Sequence, residues 1–155
     1  MTTGLTLTEE SPLGPDLALL FQRHTADMHA QTPPESIYML GASDLAAPGV
    51  RFFVLRDGGR PVAMGALKKI GAGHAEIKSM HVLAEERGRG LSDRMVNHLI
   101  AAARADGFQR LSLETGHEEI FIPARRLYEK AGFERCGPIE GYPDDPNSYF
   151  MTRAL

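Results

Sequence analysis

The segment Glu76-Ile77-Lys78-Ser79-Met80-His81-Val82-Leu83-Ala84-Glu85-Glu86-Arg87-Gly88-Arg89-Gly90-Leu91-Ser92 passes from a strand-like run, through alternating Arg and Gly, directly into an amphipathic helix. Free main-chain N–H groups at a helix N-terminus, with the positive end of the helix dipole, can cradle the oxygens of a phosphate. Gly88 and Gly90 allow close backbone approach and positive φ. Arg87 and Arg89 can add charge-assisted bonds. The plainer alternative is a Gly-rich turn carrying two solvated arginines, because short Gly patterns are weak evidence alone. No Gly-Lys-Ser/Thr follows, so this is not a Walker loop. Two glycines after antiparallel-looking strands do not make the dinucleotide fingerprint either.

Downstream, Leu91, Met95, Leu99 and Ala102 recur at three- and four-residue spacing, which predicts a helix over Gly90–Asp106 with Gly107 as its stop. Arg110–Glu114 alternates as a strand. Pro123–Ala131 reads as a short helix before Gly132. Phe133–Cys136 and Tyr149–Leu155 read as closing strands. Upstream, His74–Val82 is a strand, Pro61–Ile70 another and Arg51–Arg56 a third, with Asp57-Gly58-Gly59 as a tight turn between the last two. Before them stand a weak strand at Gly4–Thr8, a helix over Asp16–Gln31, a Pro33-Pro34 break and a short second helix around Ile37–Leu40. The order β-α-α-β-β-β-α-β-α-β-β predicts an α/β chain with a mixed, mostly antiparallel sheet and helices on both faces.

The 155 residues are the length of one ordinary domain, so residues 1–155 are expected to share a single core. With 43% apolar and 24% charged residues, nothing suggests disorder. A net charge of -3 without a long basic run excludes a nucleic-acid partner. Local Arg and Lys clusters in Arg87–Arg94 and Arg125–Lys130 point instead to a small anionic ligand. Cys136 is the sole cysteine, which excludes an intrachain disulfide and, with no close His pair, a zinc site. No secretory signal or membrane-length apolar run is evident, so the expectation is a soluble, cytoplasmic protein without a metal or a membrane partner.

Arg87-Gly88-Arg89-Gly90-Leu91-Ser92 resembles the coenzyme A pyrophosphate loop of the GNAT N-acetyltransferases, Q/R-x-x-G-x-G/A, with Ser92 where Gly or Ala is usual. Ala124-Arg125-Arg126-Leu127-Tyr128-Glu129-Lys130-Ala131-Gly132-Phe133 resembles that family's second marker, A-x-x-L-Y-E-K-x-G-F. Thr32–Ser36, Glu76–Met80 and Asp145–Arg153 look like a group of uncharacterised bacterial members. The resemblance implies the GNAT acyl-CoA N-acyltransferase fold over nearly the whole chain. It implies transfer of acetyl from acetyl-CoA to the amine of a small molecule or peptide, directly and within a ternary complex.

By the same resemblance, Met80, His81 and Val82 offer main-chain groups to the pantetheine arm, and residues 87–92 hold the pyrophosphate. Tyr128 matches the tyrosine that protonates the departing thiolate, against the plain alternative of a core tyrosine with one hydrogen bond. Glu76 stands 11 residues before Arg87, as the general-base glutamate does in histone acetyltransferases of this superfamily. The alternative is an exposed strand glutamate paired with Lys78 on the same face. Glu114 and Thr115 end the strand that members commonly splay to admit the acceptor. Glu35, Ser36 and the Asp144–Ser148 loop are further acceptor-side candidates, though both segments also read as plain turns. The Asn that the family often carries shortly before Ala124 is missing from Glu119-Ile120-Phe121-Ile122. A non-catalytic acyl-CoA sensor and a nucleotide-binding module are the competing functions. The acceptor's identity and a homodimer are left open by the sequence.

Overall fold

The computed structural model describes residues 4–38 and 40–155. Its elements are β1 (Leu5–Glu9), α1 (Ala18–Gln31), α2 (Ala42–Leu45), β2 (Val50–Asp57), β3 (Arg60–Gly71), β4 (His74–Val82), α3 (Leu91–Ala105), β5 (Arg110–Gly116), α4 (Ile122–Lys130), β6 (Glu134–Cys136) and β7 (Ser148–Ala154). The strands form one sheet in the order β1-β2-β3-β4-β5-β7-β6. Every neighbouring pair is antiparallel except β4 and β5, which the α3 crossover makes parallel.

The central strands are apolar on both faces because both faces are covered. On β2, Phe52 and Val54 pack with Leu17, Leu20 and Leu45 of the α1–α2 layer, whereas Phe53 and Leu55 pack with Met95, Val96 and Leu99 of α3. Leu99 is fully buried, so truncating it to Ala should cost about 2–5 kcal/mol. At Gly65 an added Cβ would lie 3.0 Å from Met95 Cγ and 3.1 Å from Leu99 Cδ1, so this glycine is what lets α3 approach the sheet.

The short helix expected around Ile37–Leu40 is not there. Ile37 is extended, Tyr38 and Leu40 are irregular, and Met39 lies outside the described residues. The helical turn comes later, at Ala42–Leu45, because the Asp44 carboxylate accepts the Gly41 N–H at 3.3 Å and fixes the start there. Among the described residues no helix is long and apolar enough to cross a membrane.

Two irregularities open the middle of the sheet. β4 pairs with β5 only from His74↔Arg110 to Ile77↔Leu113, after which the two strands part. On its other side, β4 carries a bulge: Met64 faces His81 but Ala66 faces Lys78. Ser79 sits in this bulge with φ 57°, a left-handed conformation that is uncommon for any residue but Gly. The extra residue switches the alternation. Before it, Ala75 and Ile77 face the α3 layer; after it, Met80 and Val82 do.

Candidate active site

Where β4 and β5 part, a cleft of about 720 Å³ opens, walled by α1 on one side and α4 on the other. One end of it meets the loop before α3. Gly88 and Gly90 both have left-handed backbones (φ 85° and 74°), and no side chain caps the helix. Among the described residues, the main-chain N–H groups of residues 88–93 donate to no protein acceptor. Six unbonded amides at the mouth of a 15-residue helix make a place for anionic oxygens.

The two arginines of that loop have different surroundings. Arg87 is exposed, lines the cleft and has only a loose contact to Asp27 (3.7 Å). Arg89 donates to Glu86 at 2.8 Å and Asp57 at 3.0 Å and does not line the cleft. Ser92, in the first turn of α3, does line it, whereas Leu91 is buried in the core beneath.

Met80, His81 and Val82, the residues expected along the pantetheine arm, line the cleft from β4. The His81 ring is buried 5.3 Å from that of His24, and burial pulls both imidazoles down, His24 to about 4. Both are therefore neutral near pH 7. Tyr128 reaches the cleft from α4, its ring edge-on to Phe133, and burial alone pushes its phenol up. It stays protonated near neutral pH, ready to donate. Gly116 sits beneath Phe121, whose ring leaves no room for a Cβ (2.0 Å).

The other end of the cleft is polar. Glu114 and Thr115 line it from β5. Burial, opposed by a 2.9 Å hydrogen bond from Ser148 Oγ and by the charge of Lys78, pushes the Glu114 carboxyl up to about 7. Lys78 lines the same wall from β4, but Glu76 does not. Glu76 is 2% exposed, accepts the Tyr142 hydroxyl at 2.5 Å and lies 3.5 Å from Lys78 Nζ. The Glu76–Lys78 pairing anticipated from their shared strand face is present, yet it is buried rather than exposed.

Glu35 is exposed and does not line the cleft. Ser36 is buried and accepts from Asn147 Nδ2 at 3.1 Å, a bond that ties the segment after α1 to the loop before β7. Asn147 lines the cleft, and Asp145 accepts the Tyr38 hydroxyl at 2.6 Å. Tyr38 and Tyr142, whose rings meet at 5.2 Å, were missed as site residues. Tyr38 stands between Ile37 and Met39, where it reads as one more apolar residue of a short helix, and Tyr142 between Gly141 and Pro143 in a loop without periodicity, so only their tertiary placement marks them.

A sheet parted over a loop of free amides is the site that the expected acyl-CoA-dependent acyltransferase fold requires. The comparisons agree. The model of the Acetyltransferase (GNAT) family matches residues 17–133. The uncharacterized N-acetyltransferase YsnE of Bacillus subtilis (strain 168) is 41% identical over 92% of this chain and 94% of its own. The IAA acetyltransferase of Azospirillum brasilense is 35% identical over 98% and 99%. A Klebsiella pneumoniae structure assigned as an acyl-CoA N-acyltransferase superposes with a TM-score of 0.79, at 26% identity over 97% of each chain. The chain belongs to the GNAT acetyltransferase family, and its activity is acetyl-CoA-dependent acetyl transfer.

Proposed function

We propose that the chain acetylates an amine by direct transfer in a ternary complex, with Glu114 as general base and Tyr128 as general acid. The observation that carries this reading is the placement of a half-buried Glu114 and of Tyr128 on facing walls of one cleft, where burial pushes the Glu114 carboxyl up to about 7. A base with that pKa is half ionised near neutral pH and accepts a proton readily.

The residues 88–93 amides, with Arg87, would hold the pyrophosphate of acetyl-CoA, and the open edge of β4 at residues 80–82 its pantetheine arm. Glu114 takes one proton from the acceptor ammonium. The freed nitrogen lone pair adds to the thioester carbonyl carbon, and collapse of the adduct breaks the carbon–sulfur bond. Tyr128 supplies its phenol proton to the departing sulfur, the nitrogen's second proton restores the phenol, and Glu114 gives its proton to solvent. Glu76 would hold Lys78 and Tyr142 in place behind the acceptor wall. The sensor alternative is not favoured, since the relatives carry transferase names and two proton-transfer groups, Glu114 and Tyr128, line the cleft.

The test is thiol release from acetyl-CoA across a panel of amines, with IAA alongside because of the Azospirillum relative. Glu114→Gln should lower kcat by about 10²–10⁴ and remove the rate's rise through pH 7. If Glu76→Gln removes that rise instead, the base is Glu76.

A further inference from the structure

The acceptor end of the cleft is poor in available positive charge. Lys78 and Arg87 are the cations that line the cleft among the described residues, and Arg87 lies at the loop before α3, at the opposite end. The Lys78 ammonium is already engaged. It donates to the Tyr38 main-chain oxygen at 3.0 Å and to Tyr142 Oη at 2.7 Å, and pairs with Glu76 Oε2 at 3.5 Å. Each of its three hydrogens thus has an oxygen neighbour within the protein.

Against this one neutralised cation stand further acidic groups. Glu114 lines the cleft. Asp145 lies behind Tyr38, whose hydroxyl, with the Asn147 N–H, holds its carboxyl below the usual range. A carboxylate arriving here would be desolvated beside carboxylates and would find no guanidinium or free ammonium to receive it. An ammonium would meet the opposite balance.

We infer that the acceptor is an amine without a carboxylate beside its amino group, such as an alkyl or aralkyl amine or an amidated α-amine, and that free α-amino acids are rejected. This rests on the acetyl-transfer reading of the cleft and sharpens its acceptor class.

The test uses the full chain with acetyl-CoA and matched acceptors: tyramine, tyrosinamide and tyrosine; histamine and histidine; cadaverine and lysine. The expected result is a kcat/KM at least tenfold higher for each amine or amide than for its amino acid. Equal or better use of the amino acids overturns the inference. Binding supplies a readout independent of turnover. Tyramine, but not tyrosine, should raise the melting temperature of the protein saturated with acetyl-CoA. If tyrosine raises it equally, the inference fails even where no acceptor reacts. If tyramine alone does so without any thiol release, the inference stands and the transfer reading fails. Glu76→Gln should leave the Lys78 charge uncompensated while its bonds to Tyr38 and Tyr142 remain, and narrow the tyramine-to-tyrosine ratio at least fivefold; an unchanged ratio overturns the assignment of selectivity to this pairing.

Discussion

Replacing Glu114 with Gln should make the protein more stable and less active, and the stability gain should depend on pH. A carboxyl whose folded pKa lies above its unfolded value holds its proton longer when folded. Its contribution to folding is intact below the unfolded value of 4.5 and is eroded as pH rises toward about 7. At about 1.4 kcal/mol per tenfold step in acidity, the erosion amounts to about 3 kcal/mol above pH 8 and under about 1 kcal/mol at pH 5. Gln cannot ionise, and its amide oxygen can still accept from Ser148 Oγ. For a chain of this length the gain corresponds to a melting temperature higher by on the order of 10 °C at pH 8.5. Thermal melts of both proteins at pH 5 and pH 8.5, alongside kcat at each pH, make the test. Equal differences in melting temperature at the two pH values, or a wild-type rate flat through pH 7, would refute the assignment of a raised pKa to Glu114.

Tyr128→Phe should lower kcat by at least about 100-fold while leaving the Kd for coenzyme A, read by calorimetry, within about twofold. Arg87→Ala should weaken coenzyme A binding by about tenfold, because Arg87 is the loop arginine that lines the cleft. Arg89→Ala should leave that Kd unchanged, since its guanidinium is held by Glu86 and Asp57. Ser79→Gly should stabilise the fold by about 1 kcal/mol in denaturant melts. It relieves a left-handed φ of 57° and removes a buried hydroxyl that lacks a partner among the described residues.

Local chemistry made much of this architecture readable in the sequence. Asp57-Gly58-Gly59 marked the β2–β3 hairpin because both glycines take positive φ there, 58° and 87°. The spacing of Leu91, Met95 and Leu99 marked α3 because one stripe of that helix must meet the sheet. The bulge at Ser79 could not be read, since a serine in a left-handed conformation leaves no glycine to signal it. The surroundings of Glu76 were equally hidden: its hydroxyl partner, Tyr142, lies 66 residues away in an aperiodic loop. Glu114 was an acceptor-side candidate from its place at the end of β5, but the burial that raises its pKa depends on tertiary packing, which no spacing rule encodes.

An unpaired strand border on a protein's rim is an invitation to sticking, because foreign chains can add to it. Here the bare border of β4 beyond Ile77 is interior, fenced by α1 and α4. A foreign strand would have to pass those helices to pair with it, whereas a slender extended molecule with amides of its own can lie along it. The fence therefore protects colloidal behaviour as well as catalysis: a chain stripped of α1 would display that border and self-associate through it.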